Sequence, residues 1–256
     1  MSLKICSIAS GSKGNCCYVS DGKTDILVDL GISATRAEKC LCALGADPGR
    51  VNIFVTHAHV DHIGGLKVFC KKHPNAKVYC QRACAAGVFV MLGKDPIIAD
   101  AITDVDGISV RAVPVSHDVP CYGYIISKDG KRVAVVTDVG EMNMATLDLL
   151  CGCGVVMLEA NHDKDRLARN PRYTDALKKR ISSPHGHLSN ADCAAACAYL
   201  ASNGVKHFIL AHLSEENNDP KLAVAQVKDS IYGSGATDVR VIAALQNSMT
   251  GLFEVC

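Results

Sequence analysis

Residues Thr56 to Gly65 read THAHVDHIGG, placing three of the chain's ten histidines and one aspartate between His57 and His62. Imidazole nitrogen and carboxylate oxygen are the donors that zinc, manganese and iron accept. One ion cannot easily take His57, His59, Asp61 and His62 together from so tight a loop. Two adjacent ions can share them. A lone histidine more often sits satisfied in a core or on a surface; this H-x-H-x-D-H spacing argues for metal.

Two ions need further ligands, and three more polar residues stand where strands should end. His117 lies in VPVSHD, Asp138 in VAVVTDVG and His212 in FILAHLSEEN. Donors at successive strand ends are how a sheet assembles a site along one edge. Singly each is weak, since a strand-end aspartate is commonly a helix cap. Together with the histidine loop they form a set.

The elements that must position these donors are readable from pattern. Val51–Val55 is an apolar strand running straight into the histidine loop, and Gly64-Gly65 leaves room for close packing behind it. Upstream, an apolar run over Lys4–Ala9 meets a Ser10–Asn15 loop. Cys16–Ser20 and Asp25–Asp29 read as strands around an Asp21-Gly22 hairpin turn. Ser33–Leu44 is a helix with Ser33 as N-cap and Gly45 as stop. Downstream, Val78–Cys80, Ile108–Val115, Tyr122–Ser127, Arg132–Thr137, Val155–Glu159 and His207–Ala211 read as strands. Met144–Leu150 and Ser189–Ser202 read as helices; Ser189 and Asp192 have capping-box spacing and Gly204 closes the second. No linker or repeat divides residues 1–256, so the expectation is one α/β (α+β) domain with sheets inside and helices outside.

Composition narrows the class. The chain is 48% hydrophobic and 21% charged with a net charge of +1, ordinary for a globular protein and no signature of a general nucleic-acid binder. No apolar run reaches a membrane span and no stretch has signal-peptide form, so a cytoplasmic location without membrane contact is expected. The fourteen cysteines are scattered and lack C-x-x-C knuckles, which favours reduced, mostly buried thiols over disulfides or a cysteine–zinc site.

At THAHVDH, and at His117, Asp138 and His212 in that order, the sequence resembles the metallo-β-lactamase fold hydrolases over essentially its whole length. The stretches SIASGSKGN, SHD, LEANHD and LKKRISSPHGHLSNADC look like the YycJ/WalJ branch, related to RNase Z and RNase J. The resemblance implies a four-layer αββα sandwich. It implies two divalent metal ions, zinc or manganese with iron also compatible: His57, His59 and His117 on one, Asp61, His62 and His212 on the other, Asp138 bridging. It implies a DNA exonuclease acting from a 5′ end, in the cytoplasm, with a functional link to a two-component signalling system. The inserted arm or extra domain of RNase Z and RNase J has no room here.

Such a site suits attack of metal-activated hydroxide on a phosphodiester. The leaving oxygen then needs a proton or a positive neighbour, and Glu159, His162 and His187 are candidates. His187 precedes a helix N-terminus and is similar to the histidine in the GHST stretch of RNase Z. His162 could instead orient a ligand. His73, His185 and His207 read as structural or surface residues.

Nucleic acid is favoured by Lys164–Arg180, where Lys164, Arg166, Arg169, Arg172, Lys178, Lys179 and Arg180 face only Asp165 and Asp175. Tyr173 could stack on a base. A solvated helix face is the competing reading. Ser12 and Lys13, between glycines, could cradle a terminal phosphate with backbone N–H groups, or belong to an ordinary hairpin loop. Other readings are an RNA-processing enzyme, a cyclic-nucleotide phosphodiesterase or a thioesterase of the same fold. A further one is a regulatory partner with vestigial hydrolysis. A lactamase is disfavoured because its sites typically differ at the Asp61 and Asp138 positions.

Overall fold

Apolar runs too short for helices become strands buried on both faces, and their packing sets the architecture of the computed structural model, which describes residues 2–255. In chain order the elements begin with β1 (Leu3–Ala9), β2 (Cys16–Ser20), β3 (Asp25–Val28), α1 (Ala34–Ala43), β4 (Asn52–Val55), α2 (Val60–Ile63) and α3 (Leu66–Lys72). Next come β5 (Lys77–Cys80), α4 (Ala85–Leu92), β6 (Ile97–Ile98), β7 (Ile102–Val105), β8 (Ile108–Val115), β9 (Cys121–Lys128) and β10 (Lys131–Val136). Then follow α5 (Met144–Leu150), β11 (Val155–Glu159), α6 (Lys164–Arg169), α7 (Asp175–Ile181) and α8 (Asn190–Ser202). The last are β12 (His207–Ala211), α9 (Pro220–Gly233), β13 (Arg240–Ala243) and β14 (Phe253–Val255).

Two seven-stranded sheets form, in the orders β14-β1-β2-β3-β4-β5-β6 and β13-β12-β11-β10-β9-β8-β7. Each is antiparallel on one side and parallel on the other: β3-β4-β5-β6 run parallel in the first, β10-β11-β12-β13 in the second. Between the sheets lies a core including Ile26, Phe54, Tyr124, Val135 and Ile209. The first sheet's outer face packs Leu27, Ile53 and Val55 against α1, α3 and α4 through Leu41, Phe69 and Val88. The second sheet's outer face packs Val156, Leu158 and Phe208 against α5, α8 and α9 through Leu150, Cys197 and Val227. This is the expected four-layer αββα sandwich.

Most expected elements are present with the predicted caps. Ser33 accepts from Arg36 N, and Ser189 caps α8 by accepting from Asp192 N. Two details differ. The β2–β3 turn spans Asp21–Thr24, because Asp21 Oδ1 accepts from both Lys23 N and Thr24 N. The strand expected to reach Asp29 stops at Val28, because Asp29 turns to a left-handed φ of 63°. The thirteen cysteines among the described residues are all free.

Contacts between the sheets fix the edge where the donors stand. The buried Tyr124 hydroxyl donates to Val55 O at 2.7 Å, and Tyr122 N donates to Thr56 O at 3.1 Å. At the other side, Ser10 Oγ accepts from His212 N at 2.7 Å. The histidine loop itself presses onto the chain after β3: a Cβ on Gly31 would sit 1.7 Å from Asp61 O, and one on Gly65 would sit 2.0 Å from Ile32 O. Gly31→Ala is expected to cost about 1–3 kcal/mol in denaturant unfolding and to weaken divalent-metal binding. Gly233→Ala, with nothing within 4 Å of its Cβ, is the control and should leave both unchanged or gain slightly in stability. Equal behaviour of the two would remove the steric argument.

Candidate metal centre

The donors gather at the carboxyl ends of parallel strands from both sheets, the usual place for a site in such sheets. Asp29 follows β3 and the histidine loop follows β4; Asp138 follows β10, Glu159 ends β11 and His212 follows β12. His117 follows β8, and His187 lies just ahead of the α8 N-cap, Ser189. Asp29, Asp138 and His212 adopt left-handed φ of 63°, 56° and 53°. Such backbone costs on the order of 1 kcal/mol or more per residue and is kept where it aims a functional group.

Two donor triads result. His57, His59 and His117 bring ligand atoms within 4.8 Å of one another, and so do Asp61, His62 and His212. Asp138 stands between them, its Oδ2 3.0 Å from His62 Nε2 and its Oδ1 3.5 Å from His212 Nδ1. All seven residues expected to hold metal are thus assembled in one cluster. The chemistry of the set fits divalent metal. His117 Nε2 and Asp138 Oδ2 are buried beside polar neighbours but with no aligned hydrogen-bond partner, and buried groups so placed are costly unless something else satisfies them. No candidate metal group among the described residues contains a cysteine.

A second layer orients the ligands, and sequence pattern missed it. Asp29 Oδ2 lies 2.6 Å from His62 Nδ1 and accepts from Thr56 Oγ1 at 2.8 Å, the carboxylate–histidine arrangement that fixes a metal-binding ring. Thr56 Oγ1 lies 2.9 Å from His57 Nδ1. Asn15 Nδ2 approaches His62 Nε2 at 3.0 Å and Asp61 Oδ2 at 3.4 Å. Asp118 Oδ1 lies 3.4 Å from His59 Nε2 and 3.3 Å from His117 Nε2, and Arg180 Nη2 is 3.5 Å from its other oxygen. Nothing in the local sequence of Asn15 or Asp29 marks them, because their partners lie in distant elements. Asp118 had a signal in its adjacency to His117.

Glu159 is a buried hub. Its Oε1 lies 2.8 Å from both His187 Nδ1 and His212 Nδ1, and its Oε2 accepts from Val139 N at 2.8 Å and Leu188 N at 3.3 Å. Burial opposes its charge, yet His187 and His212 outweigh that and pull its pKa down to about 2. His187 is raised: burial acts against it, and the Glu159 carboxylate wins. His162 makes no hydrogen bond to this pair; its ring lines a separate groove between α6 and α7.

The basic stretch is less free than its charge suggests. Arg172 pairs with Glu216 at 2.9 Å and Lys164 with Asp192 at 3.1 Å; outside the stretch, Lys13 pairs with Glu215. Lys178 Nζ donates to Ala168 O at 2.8 Å. Tyr173 is half-buried. Arg180 is the member that reaches the donor cluster, through Asp118. In the Ser12–Lys13 loop three backbone amides are already engaged. Gly11 N donates to Asn15 Oδ1, Lys13 N to Gln246 Oε1 and Gly14 N to Gly11 O.

Residues 24–213 match the family model described as a Beta-lactamase superfamily domain. The chain belongs to this superfamily. Within it, the chain is similar to Exodeoxyribonuclease YycJ of Bacillus anthracis, 33% identical over 245 residues covering 92% of this chain and 91% of the relative. It is similar to Exodeoxyribonuclease WalJ of Streptococcus pneumoniae, 31% identical with 99% and 98% covered. Among solved structures it resembles the metallo-beta-lactamase fold protein YhfI of Bacillus subtilis, with a TM-score of 0.73 at 13% identity and full coverage of both chains. The superfamily fold and the reading of the chain as a metallo-hydrolase both hold. Among the described residues no helix is long and apolar enough to cross a membrane.

The two triads differ in protonation. Burial and the neighbouring His62 push His57 down to about 2, and burial lowers His117, so both stay neutral and ready to bind. His212 is buried too, but Asp138, Asp61 and Glu159 raise it to about 10, and Asp138 and Asp29 raise His62 well above 6.5. Those two rings are protonated at neutral pH without metal. A cation must displace their protons, so its affinity there rises with pH, and for the His212 share until that ring titrates near pH 10. Calorimetric titration of metal-stripped protein at pH 6 and pH 8.5, in buffers of different ionisation enthalpy, is expected to show a first binding step with little proton release. A second step should release protons and tighten with pH. Equal, pH-independent steps would contradict the asymmetry.

Proposed function

We propose that this chain acts as one domain and is a metal-dependent DNA exonuclease working from the 5′ end with two divalent ions. The observation that carries the reading is the complete donor set around Asp138, with the Glu159–His187 pair at its edge. The names of the full-length relatives support the DNA substrate, and the resemblance supports the 5′ polarity. No donor is missing, which gives the vestigial-hydrolysis reading no support.

His57, His59 and His117 would hold one ion, Asp61, His62 and His212 the other, and Asp138 both. Bound divalent cations would supply a water acidified toward neutrality and positive charge against the non-bridging phosphate oxygens. Asp29 and Thr56 keep the His62 and His57 rings in register, so the donors need not reorganise. Arg180, exposed beside Asp118, is placed to bind the phosphate backbone entering the site.

His187 is the proton donor in this reading. Its Nδ1 is engaged by Glu159 Oε1, leaving Nε2 to give a proton. Glu159 stays ionised and holds the imidazolium form, which suits protonation of the departing 3′ oxygen as the P–O bond breaks. The ring is 19% exposed, against 0% for the Glu159 side chain, so the donor reaches substrate while its orienting carboxylate does not.

The test is cleavage of end-labelled DNA by manganese- or zinc-loaded protein. Asp138→Ala is expected to abolish metal-dependent shortening. His187→Ala is expected to lower turnover by about 10²–10⁴-fold while retaining metal. Metal lost from His187→Ala would make that residue a ligand instead, and full activity in Asp138→Ala would reject the mechanism. RNA or a small phosphodiester cleaved in place of DNA would move the substrate within the same fold.

A further inference from the structure

The helices over the first sheet carry a positive charge that the proposed mechanism does not use. Within α1, α3 and α4 the cations are Arg36, Lys39, Lys67, Lys71 and Lys72, and the one acidic residue is Glu38. Glu38 is engaged by Lys72 and His73 at 3.2 and 3.0 Å, and Arg36 donates to Ile8 O and Gln246 O. Lys39, Lys67 and Lys71 are exposed and have no ion pair among the described residues, and the same holds for Lys94, just past α4. Lys94 stands close enough to α3 for its charge to act on Cys70. We propose that this face is the track of the DNA strand leaving the metal centre, with Lys67 and Lys71 on its backbone phosphates and Lys39 and Lys94 flanking them.

The direction of the face is what ties it to the site. Gly64 and Gly65 keep right-handed helical dihedral angles. Gly64 N donates to Val60 O and Phe69 N to Gly65 O. Residues 60–72 therefore run as one nearly continuous rod, about 20 Å long. Val60, Gly64, Lys67, Val68 and Lys71 fall on one side of it at helical spacing, and all five are exposed. The rod starts directly after the ligand His59. Asp118 lies 3.4 Å from His59 Nε2, and Arg180 lies 3.5 Å from Asp118. A line of contacts thus runs from Arg180 across the mouth of the site to Val60 and on to Lys67 and Lys71. One strand carries a phosphate about every 3.4 Å along the axis, so the rod has the length of about six. Helix stability explains only part of the pattern. Lys71 and Lys72 suit the carboxyl end of α3, but Lys67 is its second residue, where a cation opposes the helix dipole. The opposite helical layer has no such excess: α5 and α8 carry Asp148 and Asp192 and no cation. An anionic lipid surface would also attract lysines; the start of the stripe at the metal centre favours the substrate, with Asp95 as the acidic neighbour of Lys94.

This inference rests on the exonuclease reading, so the test separates the two. Fluorescence anisotropy on metal-loaded protein would use a long labelled single strand with phosphorothioate linkages, which resist cleavage, over a range of salt concentrations. The slope of log affinity against log salt is expected to fall by about 0.7 for each lysine that meets a phosphate, hence by about 1.4 in Lys67→Gln/Lys71→Gln. Lys221→Gln/Lys228→Gln, on α9 in the opposite layer, should keep the wild-type slope. End-labelled DNA cleavage by the same wild-type preparation reports on the exonuclease reading independently. A fall in slope confined to the α3 variant supports the track whether or not DNA is cut. Equal slopes in all three proteins, an equal fall in both variants, or no DNA binding by wild type overturns it even if DNA is cut. Equal slopes together with loss of phosphatidylserine-vesicle binding in the α3 variant would assign the lysines to a lipid surface instead.

Discussion

Asp138 is a carboxylate buried at the seam between two sheets, with histidines from both sides turned toward it. Ionised groups are expensive to bury unless paired, and the surroundings of Asp138 provide that pairing. Burial alone would raise its pKa, but His212 and His62 hold it well below the carboxylate range. Even so, its Oδ2 has no aligned hydrogen-bond partner. A cluster that concentrates charge and leaves buried lone pairs unmet is poorly arranged for stability alone and well arranged for divalent cations. The left-handed backbone at Asp29, Asp138 and His212 fits the same view, since strain persists where packing over-determines it.

The rest of the fold serves that seam. The buried Tyr124 hydroxyl bonds the strand that delivers His57, and Ser10 bonds the amide of His212, so both sheets are registered at their ligand-bearing ends. Gly31 and Gly65 allow the histidine loop to lie directly on the chain after β3. Asp29 then reaches His62 at Nδ1, and Asn15 reaches it at Nε2. Three helical elements, the α6–α7 pair and the α8 N-terminus, shape the approach. α7 carries Arg180, and the loop that joins it to α8 carries His187.

The metal loop and the strand and helix segments are legible in the sequence because their signals are local; the four-layer sandwich is legible only through the family resemblance that those motifs carry. Four donors in six residues, apolar strands ending in donors, and a Ser189–Asp192 cap can each be seen within a short window. Asn15, Asp29 and Thr56 were not legible as site residues, because each matters only through contacts to rings that other elements deliver. The basic stretch shows the converse. Its charge excess is real in the window, yet Arg172 meets Glu216 and Lys164 meets Asp192, 44 and 28 residues away, and a charge count cannot see them. The Ser10–Asn15 loop was read as a possible anion cradle from its glycines. Gly11 N and Gly14 N are engaged within the loop and Lys13 N by Gln246, while Ser10 and Asn15 reach the site residues His212 and His62.

The central claim is that strand ends from two sheets build one site for two ions around Asp138. Native mass spectrometry of metal-stripped protein titrated with manganese or zinc tests it most directly, with wild type and Asp138→Asn side by side. The account predicts two ions per chain for wild type, and one or none at the same metal concentration for the variant, which keeps the shape of the side chain and loses its charge. A single ion in wild type, or two ions held equally by the variant, would contradict it.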